Sequence, residues 1–293
     1  MMERTCLVVY NEHSGNWHED TRQRVVAALS DYTLTYLPVE CPLPSLAGWD
    51  ALAVCGGDGT LHNVLNRAKG CELPLYYFPT GTLNERARIG RECPLVGCIN
   101  DDYFVYVVAA GSFTPIGYTT AVRDKKRWKT LAYVREALRQ YKVHRISASL
   151  SVDGRHYEGT YTLIMALKSP RCFLFRFNKM YSADADTIHL LLITAPARDD
   201  WRGRAAIFWP LFRAFFVGFR HEVQGRRLVF VQGEHAVLRL PDAVTCNVDG
   251  EKQCLTGTYR LQAAPPTPAV RVYPIARHRS APTKGIPRHH ARE

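Results

Sequence analysis

Four apolar residues, Ala51 to Val54, run directly into Cys55-Gly-Gly-Asp-Gly-Thr60. Apolar side chains then recur at helical spacing, at Leu61, Val64, Leu65 and Ala68. The pattern is a buried strand, a glycine turn and a helix. Few folds tolerate that join except a sheet with helices packed on it. Glycines at the turn let backbone amides approach an anion closely, and the start of the helix favours negative charge. The carboxylate of Asp58 would repel a bare phosphate, so its presence asks for a magnesium ion or for a proton to accept. The segment therefore reads as chemistry on nucleotide phosphates.

The same arrangement recurs nearby. Residues 6–10 form a short apolar strand ending in Asn11-Glu-His-Ser-Gly15, and a helix over about 17–30 follows, with Val25, Val26 and Leu29 facing inward. Residues 33–36 are a further strand, and 75–78 another that ends in Pro79-Thr-Gly-Thr-Leu-Asn84. Alternating strands and helices predict an α/β N-terminal domain, a parallel sheet with flanking helices, with ligands at the carboxyl ends of its strands. Residues 103–110 read as one more strand, and 126–141 as a helix with Leu131, Val134 and Leu138 on one face.

Character then changes. β-like runs at 146–152, 157–167, 172–177, 188–194, 228–231, 236–240, 244–248 and 253–259 surround one helix at about 199–219. They predict a mainly antiparallel β C-terminal domain. The expected division is 1–125 for the nucleotide domain and 126–268 for the β domain. Residues 269–274 would be a strand returning to the first domain, and 275–293 a basic disordered tail with five Lys or Arg against one acid.

The net charge of +11 on 293 residues points to an acidic partner, and nothing in the chain resembles a nucleic-acid module. Nine cysteines without paired spacing read as reduced thiols, and no opening segment reads as a secretory signal. No apolar stretch reaches the roughly 18 residues that span a bilayer. The expectation is a cytoplasmic protein that is soluble or peripheral to a membrane.

Pro79-Thr-Gly-Thr-Leu-Asn-Glu-Arg-Ala-Arg88 offers hydroxyls, an amide, an acid and two guanidinia in one strand-to-helix turn. Together with Gly56-Gly-Asp-Gly-Thr60 it resembles the diacylglycerol kinase and sphingosine kinase family of lipid kinases. NAD kinases share the first motif but not the second. Asn11-Glu-His-Ser-Gly15, Lys125-Lys-Arg-Trp-Lys-Thr-Leu-Ala-Tyr133 and Asn247-Val-Asp-Gly-Glu251 are similar to further family motifs, in the family order. The resemblance implies transfer of the ATP γ-phosphate to a lipid hydroxyl, with diacylglycerol the first candidate, at an anionic membrane surface visited transiently.

It also implies roles. Asn11, Ser14, Gly15, Gly56, Gly57, Asp58, Gly59, Thr60 and Thr82 would line the ATP site. Asn84 and Glu85 would support Asp58, which would act through Mg2+, and Glu251, with Asp249 beside it, would accept the hydroxyl proton. Alanine at Asp58 or Glu251 would then abolish transfer and leave the melting temperature nearly intact. The bland alternative for Asp249-Gly250 is a hairpin turn. Departures from the family pattern are Glu12 for a proline, Glu85 for an aspartate, and Ala109-Ala-Gly-Ser-Phe-Thr114 at a strand end. Asp184-Ala-Asp-Thr187 stands where some members hold a structural magnesium, so no second metal is expected. These departures motivate a second reading, a catalytically silent nucleotide- or lipid-binding protein; an NAD kinase is a third.

Residues 201–220 join seven aromatic side chains to four arginines. Such a helix either lies in a membrane interface or packs on the β domain with its arginines in water.

Overall fold

Every position of residues 51–56 is buried, which places that strand at the centre of a sheet covered on both faces. The computed structural model describes residues 4–82, 84–111, 143–172, 175–198 and 200–273. The expected helix at 126–141, the family-like segment 125–133, the expected boundary after 125 and the basic tail lie outside these residues.

The first sheet contains β1 (Thr5–Tyr10), β2 (Thr33–Pro38), β3 (Ala51–Gly56), β4 (Leu75–Pro79) and β5 (Glu92–Cys93), with β16 (Val270–Val272) arriving from the far end of the chain. Their order is β2-β1-β3-β4-β16-β5. All neighbours are parallel except β16 and β5. Strand alternation divides the side chains between two layers. Leu7, Val9, Leu52, Val54 and Tyr77 meet Leu61, Val64 and Leu65 of helix α2 (Asp58–Arg67). Cys6, Val8, Ala51, Ala53, Cys55 and Phe78 meet Val25 and Leu29 from the α1 region, where the helix spans Glu19–Ala28. Val26, expected inside, lies 100° around the helix from Val25 and is 49 % exposed.

The second sheet is antiparallel throughout. It contains β6 (Val96–Ile99), β7 (Asp102–Phe104), β8 (Val107–Gly111), β9 (Ile146–Val152), β10 (Arg155–Leu167), β11 (Ile188–Thr194), β12 (Val223–Gln224), β13 (Leu228–Gly233), β14 (His235–Val248) and β15 (Glu251–Ala264). Both β10 and β14 pair with β8 and with β9, closing those four strands into a ring around a second apolar core. The sheets change hands between Cys93 and Val96, well before residue 125.

Three sequence expectations are corrected. The strand read at 103–110 is two strands, broken at Val105 and Tyr106, whose amides turn to the Asp249 carboxylate. The runs 236–240 and 244–248 are one strand, β14, with an irregular register where Pro241 has no amide to donate. Among the described residues of 172–177, Cys172 and Phe175 form a single bridge in place of the expected strand. The helix expected at 199–219 is α3 (Trp201–Phe212), continued as a π-helical turn over Arg213–Val217. Asp200 caps it by accepting from the Gly203 amide at 2.8 Å. Among the described residues no helix is long and apolar enough to cross a membrane. All nine cysteines are free thiols.

The first sheet is completed by β16 between β4 and β5, where Val270 and Val272 are buried and Arg271 is exposed. Val270→Asp should lower the unfolding free energy by about 3 kcal/mol in a urea titration, because it buries an unpaired charge. Arg271→Ala should stay within about 0.5 kcal/mol of the parent.

Candidate active site

Three strand-end turns of the first sheet are tied together by hydrogen bonds. The Asn11 amide donates to the Cys55 carbonyl at 2.9 Å, and Asn11 Nδ2 to Thr60 Oγ1 at 3.2 Å. Ser14 Oγ and Thr80 Oγ1 lie 2.8 Å apart. Asn16, which was not singled out from sequence, donates through Nδ2 to the Gly81 carbonyl at 3.0 Å. Thr80 and Gly81 amides both donate to the Gly56 carbonyl.

The glycines are needed for this approach. A Cβ on Gly81 would lie 2.5 Å from Gly57 Cα, and one on Gly56 would lie 2.4 Å from Thr60 Cβ. Gly15 faces Thr82, whose Oγ1 lies 3.3 Å from where a Cβ would be. Gly57 caps α2 with no side-chain acceptor, so no side chain competes for the amides of its first turn. The result is a cradle of small residues at an amide-rich helix start. That is the arrangement an anion such as a phosphate requires.

Asp58 does not face that cradle. It is the first residue of α2, and its carboxylate is buried. Oδ2 accepts from the Glu85 amide at 2.6 Å, and Oδ1 from the Arg86 amide at 3.2 Å and the Tyr77 hydroxyl at 3.3 Å. Asp58 therefore caps the short 3-10 turn Arg86–Arg88. Burial pushes its pKa up to about 7, helped by the charges of Asp249 and Glu85 and opposed by the two amides. Asn84, at a φ of 47°, donates to the carbonyls of Pro79 and Gly81 and closes the same turn. Glu85 is buried and lies 3.4 Å from Arg171 Nε. Asn84 thus meets the cradle from behind, at the Gly81 carbonyl, while the Glu85 carboxylate pairs with Arg171.

This bears on the expected metal. Among the described residues no three His, Cys, Asp or Glu side chains converge to hold an ion. The Asp58 oxygens are already taken by two amides and a hydroxyl, and Glu85 by a guanidinium. The donor set does not fit Asp58 as a direct magnesium ligand.

The Asp249-Gly250 turn joins β14 to β15 with both residues at positive φ, 52° and 106°. It is a hairpin turn of the primed kind, but its side chain does more. The Asp249 carboxylate, 1 % exposed, accepts from the amides of Val105 at 2.5 Å, Tyr106 at 2.9 Å and Val107 at 3.0 Å. His62 Nδ1 of α2 completes the set at 3.2 Å. Burial alone would lower the His62 pKa, but the neighbouring Asp249 carboxylate outweighs it and holds the imidazole above its ordinary value.

Pinned this way, the hairpin carries Glu251 onto the cradle. A Cβ on Gly59 would sit 2.6 Å from Glu251 Oε1. Glu251 is exposed. The structure thus brings the turns after β1, β3 and β4 together with Glu251, while Asp58, Asn84, Glu85 and Asp249 form the support behind them. His62, Tyr77 and Arg171 were missed from sequence. His62 sits one helical turn after Asp58 on α2, which was the available signal.

Residues 5–91 match the sequence model of the diacylglycerol kinase catalytic domain. The fold is that of solved proteins from Bacillus anthracis strain Sterne. One proposed diacylglycerol kinase has a TM-score of 0.66 at 16% identity, covering 92% of this chain and 98% of its own. A second has 0.65 at 15% identity, covering 93% and 98%. A diacylglycerol kinase of the same strain has 0.61 at 14% identity, covering 92% and 97%. No curated protein matches the sequence significantly.

Asp249→Ala should cost about 4 kcal/mol, because three buried amides and an imidazole lose their acceptor; chemical denaturation at neutral pH measures it. Asp58 is predicted to behave differently with pH. Its folded pKa is raised from 3.8 to about 7, so the native state binds the proton more tightly and its stability contribution falls as pH rises between those values. The stability difference between the parent and Asp58→Asn should therefore shift in favour of Asn across that window. This replaces the expectation that Asp58 could be truncated without effect on melting.

Proposed function

We propose that the chain transfers the γ-phosphoryl group of ATP to the hydroxyl of a lipid alcohol, with diacylglycerol the first acceptor to test. The observation that carries this reading is the placement of Glu251 Oε1 against Gly59, at the amide end of α2. A carboxylate held beside an anion cradle has one economical use there. It accepts the proton of a hydroxyl that attacks the phosphate resting on those amides.

The residue roles follow from the contacts. Gly56, Gly57 and Gly59 leave room for the phosphates, and Asn11, Ser14, Thr60 and Thr82 order the turns around them. As the acceptor oxygen bonds to the γ-phosphorus, its proton passes to Glu251 and the bond to the β-phosphate oxygen breaks, leaving ADP. Asp249 is a positioning residue, since its oxygens are already taken by amides and His62. Asp58 and Asn84 hold the Pro79 turn in register. Magnesium, carried on the ATP phosphates, would neutralise charge.

A second reading is favoured by one observation: Glu85 is engaged by Arg171 and Asp58 by backbone amides, so neither carboxylate is directed at the nucleotide. On that reading the chain binds nucleotide without transferring phosphate.

The test is transfer of labelled γ-phosphate from magnesium-ATP to lipids in mixed micelles, with free NAD as a control acceptor. A labelled lipid alcohol is expected. Glu251→Gln should lower kcat by roughly 10²-fold with little change in the KM for ATP. Nucleotide binding with no lipid labelled would favour the silent reading, and labelled NAD alone would overturn both.

A further inference from the structure

A helix that packs on a globular domain normally turns apolar residues inward and polar ones to water. Helix α3 and its π-helical extension do not. Their inner face is apolar and buried, through Ile207, Leu211, Ala214 and Phe215. Their outer face is aromatic as well: Trp201 is 74 % exposed, Trp209 62 % and Phe216 50 %. Phe208 and Val217 are exposed beside them. Of the large hydrophobic residues exposed among the described residues, only Val26 and Val237 lie elsewhere. The outer rings also touch one another. Phe212 stacks with Trp209 at 5.7 Å, with Phe208 at 6.0 Å and with Phe216 at 5.2 Å. A continuous aromatic strip of this kind in water marks a surface that is covered when the protein works.

The charges around the strip say what covers it. Between Trp201 and His221 there are four arginines and no acid. The Arg202 guanidinium lies 5.3 Å from the Trp201 ring, Arg213 is 5.8 Å from Phe219, and Arg220 is exposed. A second copy of this chain, docked by the same face, would bring two such arginine sets together without a compensating carboxylate. An anionic bilayer has no such conflict. Tryptophan and phenylalanine settle at the headgroup boundary, and guanidinia meet the phosphates above it.

We propose that the outer face of residues 201–220 docks onto the surface of an anionic lipid bilayer. The face is wired to the candidate active site. Phe175 packs on Phe215 at 6.0 Å and on Phe216 at 5.3 Å, and Phe177 on Phe215 at 5.1 Å. Arg171, four residues before Phe175, pairs with Glu85 behind the cradle. The inference does not depend on phosphoryl transfer, and its test reads no catalysis.

Cosedimentation with vesicles of phosphatidylcholine alone, or of phosphatidylcholine mixed with phosphatidylglycerol, provides that test. The parent should bind the mixed vesicles and bind pure phosphatidylcholine weakly. Trp201→Ser with Trp209→Ser should weaken binding at least roughly tenfold. Arg213→Gln with Arg220→Gln should weaken it by about fivefold per charge, and high salt should mimic that change. Trp201, Trp209 and Arg220 are exposed and Arg213 is half-buried at the margin, so melting curves close to the parent's exclude misfolding as the cause. Equal sedimentation of parent and both double variants would overturn the proposal. So would a lipid-free dimer, seen by light scattering, that the tryptophan variant dissociates, for then a second copy is what covers the strip.

Discussion

Three consecutive backbone amides and one imidazole converge on the buried carboxylate of Asp249. The position of the β14–β15 hairpin against the start of α2 depends on that convergence. The amides of Val105, Tyr106 and Val107 could otherwise continue a strand, and giving them to Asp249 is what breaks β7 from β8. His62 belongs to the helix that begins at the glycine cradle, so the same carboxylate clamps the second sheet to the first. The interaction spans 187 residues of sequence between His62 and Asp249. A buried carboxylate so fully satisfied is more a rivet than a reagent. Its neighbour two residues on, Glu251, gains its position from that rivet and keeps its exposure.

A division of labour among the acids follows. Asp58, Glu85 and Asp249 sit within one another's electrostatic reach in the interior, and each is balanced by a different device: a helical cap, a guanidinium, and a nest of amides. Their mutual repulsion is held in check by donors rather than by solvent. The carboxylate left facing the cradle, Glu251, is the one with the least structural duty. Such segregation keeps the exposed carboxylate at the cradle apart from the buried ones that hold the fold.

Much of this was legible in the sequence because it follows from backbone geometry. Gly56, Gly57 and Gly81 announce close approach, and the alternation of strands and helices up to Pro79 announces the first sheet. The Asp249-Gly250 turn was readable from its dipeptide alone. What was not legible is where a carboxylate points. Asp58 and Glu251 look equally available in the sequence, yet one caps a turn at Glu85 and the other stands over Gly59. That outcome depends on contacts with residues far along the chain, which no local pattern encodes. The split at Val105 was hidden for the same reason, since Tyr103 to Ala110 has good strand propensity throughout and only a distant acceptor interrupts it. Val26 was misplaced by assuming a wider buried stripe than α1 presents. Residues 201–220 were ambiguous because apolar side chains occur all around the helix, and only exposure separates the half that is packed from the half that is not.

The last described strand has a consequence of another kind. β16 lies between β4 and β5, so β5 has no neighbour in its sheet until residues 270–272 are in place. On a ribosome, the opening ninety or so residues emerge long before the strand that completes their sheet, and β4 waits with one edge unpaired while the whole antiparallel sheet is made. A fragment holding the first sheet alone should carry the β16 strand along, fused after β5 or supplied as a peptide.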